Sequence, residues 1–114
     1  MHELSIATNI VRIAEREAKN AGATDIRGIR LEIGALSGVV RDALEFAFDV
    51  AAKDSMLEGA ELTIDEVPVV VFCADCDAEH ELPSPPRFRC PGCGTRTGDI
   101  RQGRDLDIAS LEIV

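Results

Sequence analysis

Between Leu4 and Lys19 the apolar positions Ile6, Ala7, Ile10, Val11, Ile13, Ala14 and Ala18 recur at spacings of three and four. That period predicts an amphipathic helix, with Arg12, Glu15, Arg16 and Lys19 on its wet side. Asn20-Ala21-Gly22 supplies the stop, because glycine accepts the left-handed conformation that closes a helix. Ile29, Leu31 and Ile33 then alternate with Arg30 and Glu32, the period of a strand with one buried face, and Gly34 ends it. After a loop containing Gly34, Ser37 and Gly38, Val40 to Lys53 reads as a second helix. Leu44, Ala47, Phe48 and Ala51 face inward there, and Phe46 and Val50 are expected to widen the apolar face.

Leu62 and Ile64 alternate with Glu61, Thr63 and Asp65 in a second strand over Glu61 to Glu66, with Pro68 at its exit. In the last strand Leu106 and Ile108 share one parity, Leu111 and Ile113 the other. A bulge near Ala109 and Ser110 would reconcile them. The ordering implies an α+β fold: a small three-stranded mixed sheet covered by two helices, with an inserted four-cysteine, zinc-ribbon-like lobe. The expected division is 1–68 plus 102–114 for the α/β domain and 69–101 for the lobe. A lobe of that size needs a staple, since chains below roughly 40 residues rarely bury enough apolar surface alone.

The staple is legible in the cysteines. Cys73-Ala74-Asp75-Cys76 and Cys90-Pro91-Gly92-Cys93 are two C-x-x-C knuckles, and the chain's four cysteines all lie in them. Thirteen residues, including Pro83, Pro85 and Pro86, separate the pairs. Such spacing suits a tetrahedral thiolate site for structural zinc. A thioredoxin-like redox pair would need one reactive thiolate at a helix N-terminus, which two pairs around a proline-rich excursion do not suggest. A rubredoxin-like iron centre uses the same ligands and stays open; its red colour would separate it from colourless zinc. His80, four residues past Cys76, is either a neighbour or substitute ligand of that site or an exposed surface residue.

Charge narrows the partners. The net charge of −9 opposes nucleic-acid binding, which draws most of its affinity from lysine and arginine. Arg87, Arg89, Arg96 and Arg101 in the lobe are offset by Asp75, Asp77, Glu79, Glu81 and Asp99. No apolar run approaches the roughly 20 residues that span a bilayer, and the opening segment lacks a secretory layout. A cytoplasmic protein is expected, where paired cysteines favour metal over disulfides. No nucleophile–base pair, phosphate loop or H-E-x-x-H helix suggests an enzyme.

Met1-His2-Glu3 offers a second metal reading. A free Met1 amine, the main-chain nitrogen of His2 and its imidazole Nδ1 can bind one ion through fused five- and six-membered rings, with Glu3 completing four-coordination. Nitrogen-rich square-planar donors suit Ni(II) or Cu(II). A cation at a helix N-terminus opposes the dipole, which ionised amides would offset. Taken alone, His2 reads first as an exposed terminal residue and Glu3 as a first-turn acid that suits the helix dipole.

Met1-His2-Glu3-Leu4-Ser5, Leu31-Glu32-Ile33-Gly34-Ala35-Leu36-Ser37, Phe46-Ala47-Phe48-Asp49 and the two knuckles together resemble the HypA/HybF family of hydrogenase nickel-incorporation proteins. The resemblance spans nearly the whole chain. It implies a nickel metallochaperone with transient Ni(II) at Met1, His2 and Glu3 and structural Zn(II) on Cys73, Cys76, Cys90 and Cys93. It further implies work with the HypB GTPase on the [NiFe]-hydrogenase large-subunit precursor, as a monomer or weak homodimer. Some relatives carry a histidine beside a knuckle; here Asp77 and Gly94 follow Cys76 and Cys93. The competing function is a zinc-ribbon adaptor, docking through Arg87, Phe88 and Arg96, with no transported metal.

Overall fold

Helix α1 covers Glu3–Asn20 and turns Ala7, Ile10, Val11, Ala14 and Ala18 inward, as the period predicts. It is the first element of a computed structural model that describes residues 3–83 and 85–114. Gly22 takes φ +77 and closes the helix: its amide donates to Lys19 O and that of Ala23 to Ala18 O, at 3.0 and 2.9 Å. Strand β1 is Ile26–Gly34, helix α2 Arg41–Ala52 and strand β2 Glu61–Val67. Four more strands follow: β3 Val69–Cys73, β4 Ala78–Leu82, β5 Ile100–Gln102 and β6 Leu106–Ile113.

Two three-stranded sheets result, ordered β2-β1-β6 and β4-β3-β5. The first is mixed. Thr24 N donates to Val114 O and Gly34 N to Asp105 O, so β6 runs antiparallel to β1. Arg30 pairs with Asp65 at 2.6 Å and Ala35 N donates to Val67 O, so β2 runs parallel to β1. A parallel neighbour demands a crossover too long for a hairpin, and α2 provides it.

Backbone proximity divides the chain into two units: Met1–Leu31, Gly38–Asp65 and Asp107–Val114 in one, Glu32–Ser37 and Glu66–Leu106 in the other. In the first, α1 packs on α2, and Leu31, Leu44 and Leu57 are fully buried. Alanines at 7, 14, 18, 47 and 52 among the buried positions let the helices approach closely. Glu15 Oε2 accepts the Met56 amide at 3.1 Å and anchors the segment after α2, where Asp54 turns through φ 62.

Two expectations need correction. Phe46 and Val50 do not widen the buried face: they are 73% and 51% exposed. Phe46 is two residues from both Leu44 and Phe48, so it stands roughly 200° around the helix from each. The metal lobe is also more than a stapled excursion, because it carries its own antiparallel sheet. Val69, Val71 and Leu82 form its core, with Leu36 and Ile100 packed against them. In β6 the burial pattern breaks at Ala109 and Ser110, both exposed, where the parity changes.

Within the second unit three chain segments cross at van der Waals distance. Leu36 N donates to Gly103 O at 2.7 Å, Gly103 holds φ +103, and a Cβ there would lie 2.9 Å from Val69 Cα. A Cβ on Gly34 would overlap the Gly103 carbonyl. Gly34→Ala should therefore destabilise the protein by about 3 kcal/mol or more in urea unfolding, as overpacking against unyielding backbone does. Gly98, with open space around it, should tolerate alanine to within about 0.5 kcal/mol.

Candidate metal centre

Each knuckle is a turn that the neighbouring strands aim. The first closes the β3–β4 hairpin: Cys73 pairs with Ala78, and Cys76 lies in the turn between them. Asp77 completes that turn at φ 51, a left-handed conformation that aspartate tolerates better than most residues. The second knuckle is held by antiparallel backbone pairing of Arg89 with Arg96, by Cys90 N donating to Thr95 O and by Gly94 N donating to Cys90 O, both at 2.8 Å. Gly94 supplies its positive φ of 78. Thr97 ties the exit to β3 by donating its hydroxyl to Phe72 O.

These turns bring the four sulfurs within 4.8 Å of one another. Cys73 Sγ lies 3.6 Å from Cys93 Sγ, and Cys76 Sγ 3.7 Å from Cys90 Sγ. A tetrahedron with metal–sulfur bonds of roughly 2.3 Å has sulfur–sulfur edges of about 3.8 Å. The spacing therefore fits a tetrathiolate metal and lies well beyond a disulfide. The cysteines are free; Cys73 and Cys90 are buried, and Cys76 and Cys93 face solvent. Gly92 N donates to Cys90 Sγ at 3.3 Å, an amide placed to stabilise sulfur charge.

Crowding separates the protonation of the thiols. Cys93 is pushed down to about 6, first by the Thr95 hydroxyl and then by the Thr95 amide. Cys76 is pushed up to about 12 because it shares protons with the sulfurs of Cys93, Cys90 and Cys73. At Cys73 the Cys76 amide favours the thiolate, but burial and the Cys93 and Cys90 sulfurs carry the thiol upward. Thr95 Oγ1 lies 3.2 Å from Cys93 Sγ and 2.8 Å from Asp75 Oδ2: its one proton can turn to the Cys93 thiolate, or it can donate to the carboxylate while Oγ1 accepts from the Cys93 thiol.

His80 is partly buried, opposite Val71 on β4. Its Cε1 and the sulfurs of Cys76 and Cys90 would lie 3.6 to 3.8 Å from a Cβ on Gly92. The ring thus borders the cluster, and its buried Nε2 has no hydrogen-bond partner among the described residues. Sequence spacing had left that placement open; pairing β3 with β4 decides it. Met1 and His2 lie outside the described residues. Glu3 is the first residue of α1, and its Oε2 is buried without a hydrogen-bond partner among the described residues.

A family profile described as hydrogenase/urease nickel incorporation, metallochaperone, HypA matches residues 1–113. The chain belongs to the HypA family. It is 56% identical over 112 residues to the hydrogenase maturation factor HypA of Chloroflexus aurantiacus, covering 98% of each chain. It is 43% identical to that of Streptomyces avermitilis, covering 97% of this chain and 86% of the relative. The solution structure of the Ni metallochaperone HypA from Helicobacter pylori superposes with a TM-score of 0.75 at 26% identity, covering 100% of this chain and 98% of that one. Membership makes the protein a maturation factor and not an enzyme. No helix among the described residues is long and apolar enough to cross a membrane.

Cys90→Ser should weaken metal retention by at least about 100-fold, beyond the 10–100-fold typical of losing an outer-shell partner. The lobe should loosen with it, since its ordering is coupled to the ion. Metal analysis and thermal melting check both. Acidification acts in the same direction, because protons compete with the ion for every sulfur.

Proposed function

We propose that this chain carries Ni(II) for [NiFe]-hydrogenase maturation, grasping it at Met1, His2 and Glu3, while Cys73, Cys76, Cys90 and Cys93 hold a resident Zn(II). The whole-length match to the HypA family, beginning at the Met1-His2-Glu3 segment, carries this reading. The 3.6 and 3.7 Å sulfur separations support zinc, whose role here is to staple the lobe with no coordination position left for substrate. We assign the nickel to the segment 1–68 plus 102–114 and the zinc to 69–101.

The terminal donors act as a shallow, exchangeable site. When the Met1 amine is free, it joins the His2 main-chain nitrogen and imidazole Nδ1 around the ion, and Glu3 lies next in the chain. Glu3 Oε2 is buried without a hydrogen-bond partner among the described residues, which is costly, and a cation beside it would offset that cost. Release follows by ligand substitution to a partner; the HypB GTPase and the hydrogenase large-subunit precursor, in the cytoplasm, fill that role in this reading. Falling pH weakens capture, because amine, amide and imidazole must each lose a proton to bind.

His2→Ala should abolish stoichiometric nickel binding in calorimetry while zinc content and fold persist; unchanged nickel affinity counts against the site. Extending the chain before Met1 should impair binding even with His2 intact, since it consumes the free amine. Equal affinity in extended and unextended protein would refute that part. An adaptor with no cargo would bind no nickel in either form.

A further inference from the structure

The four thiols are unequal in a way that defines a route for the ion. Each knuckle contributes one buried and one exposed sulfur: Cys73 and Cys76 from the first, Cys90 and Cys93 from the second. Sulfur–sulfur separations of 3.6 and 3.7 Å run between the knuckles, Cys73 to Cys93 and Cys76 to Cys90. An ion bound to all four sulfurs would tie the two knuckles together, and solvent reaches the site from the Cys76 and Cys93 side.

On that exposed side a bond spans the same gap without involving the ion. The Thr95 hydroxyl donates to Asp75 Oδ2 at 2.8 Å. Asp75 lies between Cys73 and Cys76, whereas Thr95 is two residues beyond Cys93. Thr95 is rigidly part of its knuckle, because its carbonyl accepts the Cys90 amide at 2.8 Å. Tension on its side chain thus reaches both cysteines of the second turn. The hydroxyl has a single proton, and the shorter of its two contacts is to the carboxylate, at 2.8 Å against 3.2 Å to Cys93. The bond to Asp75 consequently does not need the Cys93 proton, and a metal drawing charge from that sulfur would leave the carboxylate the stronger acceptor of the hydroxyl proton.

We infer that Asp75 and Thr95 form a latch across the two knuckles that sets the rate at which the tetrathiolate ion exchanges. The inference rests on the resident-zinc reading above. Asp75 and Thr95 are positioning residues: they touch no ion, and they hold the exposed halves of the site together. Both are solvent-exposed, so removing the latch uncovers no buried polar group and should leave folding nearly unchanged. The effect belongs to the rate of opening.

The test is zinc transfer from full-length, zinc-loaded protein to excess 4-(2-pyridylazo)resorcinol, followed by absorbance. Thr95→Val and Asp75→Ala should each release zinc about 10-fold faster, the scale on which outer-shell partners act at metal sites. Thr95→Ser should restore the wild-type rate. The double variant should release no faster than the faster single, since one bond is removed twice. Cobalt-substituted protein should keep its tetrahedral spectrum in every variant. Unchanged release in both single variants overturns the latch, and so does an additive double variant or failure of serine to rescue. Wild-type protein that holds no zinc overturns the tetrathiolate reading itself, and the latch with it.

Discussion

Four sulfurs within 4.8 Å of one another cannot all ionise unless a cation stands among them. The lobe depends on that constraint. Val69, Val71 and Leu82, with Leu36 and Ile100 against them, are too few apolar side chains to hold about 40 residues of chain by burial alone. A tetrahedral ion converts mutual repulsion of the thiolates into cross-linking of two turns. Local backbone chemistry prepares it: the Gly92 amide on Cys90, the positive φ at Gly94 and Asp77, and strand pairing that ends at Cys73.

The second unit borrows from the first strand's exit. Glu32–Ser37 belongs with it, Leu36 packs on its core, and Gly34 and Gly103 let backbones meet where no Cβ fits. The Leu31–Ser37 motif noted for its family resemblance thus has a mechanical reading: strand, glycine crossing, apolar plug. Phe46, from the other motif, has no comparable packing role and stands 73% exposed.

Much of the first unit was legible because periodicity reports one-sided burial. Helix α1, the alternation in β1 and the Gly22 stop all follow from spacing that packing did not override. In α2 Leu44, Ala47 and Phe48 were legible, but Ala52 is the buried alanine where Ala51 was expected, and Phe46 and Val50, read as apolar and therefore inward, are sent outward by helix geometry. The second sheet was missed because Val69 to Phe72 is a short continuous apolar run, which alternation cannot classify. The four cysteines could be paired by spacing alone, whereas the position of His80 beside Gly92 depends on cross-strand register that no local pattern encodes. Thr95 and Asp75 carried no signal either, since the bond between them joins residues twenty positions apart.

A carrier built this way separates two tasks that one site could not perform together. In the proposed reading a closed thiolate cage retains its ion and keeps the lobe folded, while a nitrogen site at Met1 and His2 exchanges its ion readily. The most direct measurement is metal stoichiometry of protein with an authentic, unextended Met1, before and after nickel addition. A two-site carrier should hold one tight zinc throughout and gain one additional, chelator-labile nickel. A single metal per chain at saturation, or nickel that enters only by displacing zinc, would contradict it.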